Sequence, residues 1–254
     1  MTKMIRYRDL VITLVARDLK VRYRRSTIGF LWTMLQPLLT MMVLSAVFST
    51  LFRFQKPNYS VYALAGIMVW NFFSQSITSS MNSLKGNAHL LTKLPVPKAA
   101  FPVATVIAGV INLLLAMVPL FAILLFTGHK IGASVLFLPV SIVIAALFTL
   151  GAGLLLSPLA VFFHDTIEMI AVILTLLMYL TPVFYPMEIV PPKYLWAVRF
   201  NPVRSVLEVF RDPIYNSKVP PITHLSVALG VTFLAMVIGI LAFRKSSDRS
   251  PFYV

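Results

Sequence analysis

The chain has 254 residues, 59% of them hydrophobic, and a mean hydropathy of +0.87. Several uncharged runs exceed the roughly 18–20 residues that a bilayer core demands of a helix, so most of the length is committed to apolar spans and no room remains for a separate soluble enzyme domain. The net charge of +14 does not point to nucleic acid, because the cations stand at the ends of apolar runs as topology determinants and lipid-headgroup contacts do, and the absence of cysteine excludes disulfides and thiolate metal sites.

Residues 1–28 are expected to form a cytoplasmic amphipathic helix at the membrane interface. At 100° per residue Arg6, Asp9, Thr13, Arg17, Lys20 and Arg24 fall on one stripe, and Ile5, Leu10, Val11, Ile12, Leu14, Val15 and Leu19 occupy the opposite arc. A plain positive-inside flank is the simpler alternative. The first apolar run is long and follows this charged lead without a small-residue cleavage site, so no cleavable signal peptide is read.

Residues 29–254 are expected to form a single all-α domain of six transmembrane helices, with spans near 29–52, 59–83, 99–127, 133–163, 169–185 and 222–243. Arg53, Lys56 and Pro57 make a short external turn. In the second span Asn71, Ser74, Gln75, Thr78 and Asn82 share a face. Amides facing lipid are costly, so this face should meet other helices or a hydrated cavity. A basic loop follows from Lys85 to Lys98, with Pro95 and Pro97 preventing one straight helix into the third span. Gly151, Gly153 and Pro158 offer the fourth span places to bend.

Residues 186–221 are neither a span nor a soluble domain. Asn201 can cap a short helix with Pro202 at its first position, Val203, Val206, Leu207 and Phe210 forming the apolar side. We expect two short external helices dipping into the membrane edge. Six spans put both termini on one side. The charge bias makes that side the cytoplasm, because 14 of the 22 lysines and arginines fall in the segments assigned there.

No phosphate-binding G-x-x-x-x-G-K-[ST] loop exists in the chain, nor H-E-x-x-H, G-x-S-x-G or a Cys/His cluster. The chain is therefore expected to be no enzyme and to hold no metal or cofactor of its own. His164, Asp165 and Glu168 are the one cluster with catalytic spacing, and two ligands without a third make a poor zinc site. A polar helix end at the membrane surface accounts for them.

Four stretches carry a resemblance: Arg17 to Pro37; Leu90-Leu91-Thr92-Lys93-Leu94-Pro95-Val96-Pro97; Val161-Phe162-Phe163-His164-Asp165; and Thr181-Pro182-Val183-Phe184-Tyr185-Pro186 followed by Asn201-Pro202. With them the whole chain resembles the permease subunits of type-2 ABC exporters for O-antigen, capsular and teichoic-acid polysaccharides. That family usually carries Arg-Asp in the third stretch, from which His164 departs.

The resemblance implies a homodimer in the bacterial inner membrane, bound by two separate ATPase subunits that hold the ATP and Mg. The implied cargo is an undecaprenyl-linked glycan. Coupling to the ATPase is expected at Arg17, Lys20, Arg24, Leu91, Lys93, His164, Asp165 and Glu168. Arg22, Arg24 and Arg25 are candidates for the lipid diphosphate, although anchoring to membrane lipids explains the same residues. Trp32, Asn71, Gln75, Tyr179, Phe184 and Tyr185 are candidates for the channel lining, and Trp196, Asn201, Pro202 and Phe210 for an external gate. A type-2 exporter of a drug or lipid is the nearest alternative, and a membrane-embedded glycosyl- or phosphotransferase is the alternative of another class.

Overall fold

The computed structural model describes residues 2–24, 28–50, 57–87, 91, 96–128, 132–163 and 165–247. Among them every regular element is helical. The α-helices are α1 (Thr2–Tyr23), α2 (Leu31–Thr50), α3 (Tyr59–Lys85), α4 (Ala100–Phe126), α5 (Leu138–Phe162), α6 (Thr166–Leu180), α7 (Leu195–Arg199), α8 (Pro202–Arg211) and α9 (Ile222–Ser247).

Among the described residues three stretches are both long and apolar enough to cross a membrane: Ala100–Phe126, Ala133–Phe162 and Ile222–Ser246. The second includes a 3-10 turn, Ala133–Phe137, before α5. Leu31–Val47 and Thr166–Leu180 are apolar but shorter. The fifth expected span, 169–185, does not stay helical to its end. α6 stops at Leu180, and Thr181 turns extended at φ −96° and ψ 135°. The cause is Pro182, whose ring disfavours helical dihedrals in the residue before it.

The amide-bearing α3 is the centre of the bundle, with Val61, Leu64, Val69, Ile77 and Met81 almost fully buried. Small residues let its neighbours approach. A Cβ at Gly109 in α4 would overlap Ser76 Oγ, and one at Gly153 in α5 would lie 2.9 Å from Ser80 Oγ. The Ser80 hydroxyl in turn shares a hydrogen bond of 2.9 Å with Thr105 of α4. Without a hydrophobic force between helices in lipid, such close backbone packing and buried hydroxyl pairs hold the bundle together. The tightest crossing joins α5 to α9. A Cβ on Gly151 would sit 2.6 Å from the Ala235 carbonyl carbon, and one on Gly239 would overlap the Gly151 carbonyl oxygen.

One side of α1 is covered by protein. Val11, Leu14 and Val15 are buried in a cluster with Leu84, Phe101, Leu154 and Phe243. Ile12 and Val21, at 57% and 69% exposure, stay uncovered. The helix therefore lies across the ends of α3, α4, α5 and α9. At the opposite end of the bundle the chain between α6 and α9 folds back as two 3-10 turns, α7, α8 and a π turn at Asp212–Asn216.

Candidate functional site: a polar cleft and a carbonyl rack

The polar positions of α3 recur at helical spacing, so one face must be satisfied away from lipid. Asn71, Gln75, Thr78 and Asn82 all line a cleft of about 930 Å³ enclosed by α1, α2, α3 and α4. A second space of about 480 Å³ shares Arg22, Gln36 and Gln75 with it and continues to α6 at Leu174 and Met178.

Hydrogen bonds between helices fix the walls. The Tyr23 hydroxyl donates to Asn112 Oδ1 at 2.5 Å and shares a hydrogen bond of 2.8 Å with Thr33. Arg22 reaches in and donates to Gln75 Oε1 at 3.2 Å. Arg17 donates to Asn87 Oδ1 at 2.6 Å, and its other guanidinium nitrogen pairs with Asp18 at 2.9 Å. Trp32 faces the same space and is half exposed.

The lining thus offers neutral amides and hydroxyls, one exposed indole face, and cations only at the α1 side. That set suits a polyhydroxylated chain with an anionic end. The one carboxylate among the lining residues, Asp18, is paired with Arg17.

The other end of the bundle is organised around a broken helix. Past Leu180 the backbone is irregular, so its carbonyls need donors. Side chains supply them in sequence. Arg211 donates to Pro182 O at 2.8 Å and to Val183 O at 2.5 Å. Tyr59 donates to Phe184 O at 2.7 Å and Tyr62 to Tyr185 O at 3.0 Å.

A relay links this rack to α8. The Thr181 hydroxyl donates to Leu177 O at 2.6 Å and accepts from Asn201 Nδ2 at 2.7 Å. Asn201 Oδ1 then accepts from the Val203 amide at 3.0 Å. This is the cap expected from Asn201-Pro202. Burial pushes the Arg211 pKa down, but a guanidinium starts high enough to keep its charge.

The candidate residues fall in several places. Trp32, Asn71 and Gln75 share the cleft. Tyr179, Phe184 and Tyr185 stand away from it, as an edge-on aromatic ladder with centroids 6.1 and 5.8 Å apart. Trp196 is exposed, Asn201 is buried as the cap, and Phe210 is fully buried. Phe210 therefore packs α8 onto the bundle. Of the cationic candidates, Lys20, Arg22 and Arg24 are exposed, as are Asp165 and Glu168 beside the α5–α6 turn, whereas Leu91 is half-buried. Arg17 is bound into the wall as above. Arg25, Lys93 and His164 lie outside the described residues.

Sequence reasoning missed Arg211, Tyr59, Tyr62 and Tyr23. For Arg211 a signal existed: it follows Val203 and Leu207 at four-residue steps, in register with the buried stripe of α8.

Residues 9–215 match the family model described as ABC-2 type transporter. The chain is 29% identical to an O-antigen export system permease protein RfbA of Klebsiella pneumoniae over 95% of its own length and 93% of the relative's. It is 29% identical to the protein of the same name from Myxococcus xanthus, covering 92% and 91% of the two chains. Polysialic acid transport protein KpsM of Escherichia coli is 22% identical over 94% of this chain and 93% of that one.

Proposed function

Because the chain belongs to the ABC-2 type transporter family, we propose that it is the transmembrane subunit of an exporter that moves lipid-linked polysaccharide across the bacterial cytoplasmic membrane. The observation that carries this reading is the polar cleft: an otherwise apolar bundle keeps Asn71, Gln75, Thr78 and Asn82 on one face lining a space of about 930 Å³. Neutral hydrogen-bonding groups suit a sugar chain, and Arg22 on the same wall suits its diphosphate end. The relatives' names, O-antigen export and polysialic acid transport, point the same way.

In this reading residues 1–28 lie at the cytoplasmic surface and residues 29–254 form the six-span domain. The more polar α3 and the shorter α2 and α6 complete the count, and α7 and α8 dip into the outer membrane edge. Both termini are cytoplasmic. A second copy packs against the apolar outer faces of α2 and α6, where Met42, Val43, Val172 and Leu176 are all more than half exposed. Two ATPase subunits dock on the exposed Lys20, Arg24, Asp165 and Glu168, and their closure moves α1 against the cleft. At the outside, the rack makes the end of α6 and the start of α8 move together.

Deleting the gene tests the reading. The expected result is loss of surface polysaccharide with lipid-linked glycan accumulating on the inner leaflet, both reversed by the intact gene. Unchanged surface polysaccharide in the deletion strain contradicts it.

A further inference from the structure

Along α8 and the π turn, Arg204, Glu208, Asp212 and Asn216 follow at four-residue steps and form one polar stripe. Each carboxylate uses one oxygen within that stripe. Glu208 Oε1 accepts from Arg204 Nε at 2.7 Å, and Asp212 Oδ1 accepts from Asn216 Nδ2 at 2.7 Å. The second oxygens both turn to one ring, that of His224 in the first turn of α9. Asp212 Oδ2 lies 3.4 Å from its Nδ1, and Glu208 Oε2 lies 3.6 Å from its Nε2.

A neutral imidazole has one N–H and one lone pair, so it donates to one carboxylate and turns its lone pair on the other. The imidazolium donates at both nitrogens and suits both. Histidine is the side chain that ordinarily changes charge between about pH 5 and 8. With 37% of its side chain exposed, His224 takes its proton from solvent.

The other ties of α8 are indifferent over that range. Ser141 of α5 donates to Val209 O at 2.9 Å. Arg211 keeps its charge and stays on the Pro182 and Val183 carbonyls, while its field also acts on Glu208 and Asp212. Arg204 is engaged on Glu208, and the Lys218 side chain is exposed. The helices packed against α8 add no charge here: α5 has none, Lys85 ends α3 at the far side, and so do Arg244 and Lys245 in α9.

α8 is thus joined to the end of α6 by a permanent cation and to α9 by a titratable one. Resting on the export reading, which puts this end of the bundle outside, we propose that His224 is a proton-controlled latch on the external gate helices. Its imidazolium clamps α8 and the π turn to α9. Loss of the proton frees one of the two carboxylates, and α8 then moves with the end of α6. Acid on the outer side therefore slows export.

Two measurements test the latch on the chain co-purified with its ATPase. The chain has no cysteine, so Phe200→Cys and Ser226→Cys, both at exposed positions beside α8 and on α9, take a pair of spin labels, with labelled chain diluted in unlabelled chain. Between about pH 8 and about pH 5.5 the label distances should narrow from a broad distribution. His224→Gln should keep the broad one throughout, and so should Asp212→Asn. An unchanged distribution in the parent overturns the latch.

The second measurement follows the lipid-linked glycan that accumulates in the deletion strain. Proteoliposomes receive ATP in the bath only, so the working molecules turn their outer ends to the lumen. Lowering the lumen from about pH 8 to about pH 5.5 should slow the parent about threefold, the weight of one half-exposed ion pair, and leave His224→Gln unaffected. Equal slowing of parent and variant overturns the proposal. Slowing by acid in the bath but not in the lumen overturns the topology on which it rests. If no glycan moves at any pH, the export reading fails, while the label distances still decide the latch.

Discussion

The guanidinium of Arg211 lies 3.8 Å over the ring of Tyr62, and the two side chains together hold the carbonyls of Pro182, Val183 and Tyr185. A cation stacked on a ring and donating to two carbonyls is well placed for a buried position. Arg211→Met leaves two buried acceptors without donors and is expected to cost about 2–4 kcal/mol. Tyr62→Phe keeps the ring and should cost only about 1 kcal/mol. Thermal unfolding in detergent measures both, and equal melting of Arg211→Met and the parent contradicts the assignment.

The crossing of α5 and α9 makes a sharper steric prediction. Gly151→Ala pushes a methyl to within 2.6 Å of the Ala235 carbonyl carbon and should destabilise by about 1–3 kcal/mol. Gly230→Ala, also in α9, meets nothing within 4 Å and should stay within about 0.5 kcal/mol of the parent. If the two alanines behave alike, the helices do not cross at Gly151.

At the α1 end, packing and docking separate. Lys20→Glu with Arg24→Glu alters exposed charges, which govern association more than folding. The double variant should fold normally and retain less ATPase on purification. Arg17→Ala removes the contacts to Asn87 and Asp18 and should lower stability by about 1 kcal/mol. Normal ATPase recovery with the double variant would remove these residues from the coupling surface.

Cargo handling is tested in the cleft. Asn71→Leu with Gln75→Leu keeps shape and removes two amides from its wall. Export of the lipid-linked polysaccharide should fall on the order of tenfold, the equivalent of about one net hydrogen bond. An unchanged rate would place the cargo elsewhere.

What could be read from sequence was whatever obeys a period. The polar face of α3 was visible because amides recur at helical spacing, and the cap at Asn201 because Asn-Pro has one favourable place on a helix. Both are found, the first lining the cleft and the second bonded to Val203. The rack was not visible, because it joins Tyr59 and Tyr62 to a segment more than a hundred residues away. Nor does composition distinguish an arginine holding carbonyls from one facing lipid headgroups. Phe210 is found where its place in the apolar stripe of α8 put it, fully buried.

The shortness of α6 bears on the lipid around it. Its 15 residues rise roughly 22 Å, about 8 Å less than a hydrocarbon layer of about 30 Å. Hydrophobic mismatch of that size is met by local thinning of the bilayer or by a recess shielded by protein. Either one shortens the apolar barrier beside the proposed path and favours passage of a long polyprenyl tail. Reconstitution into bilayers of longer acyl chains should therefore slow the exporter, as the lipid is forced to dimple further around this one truncated helix.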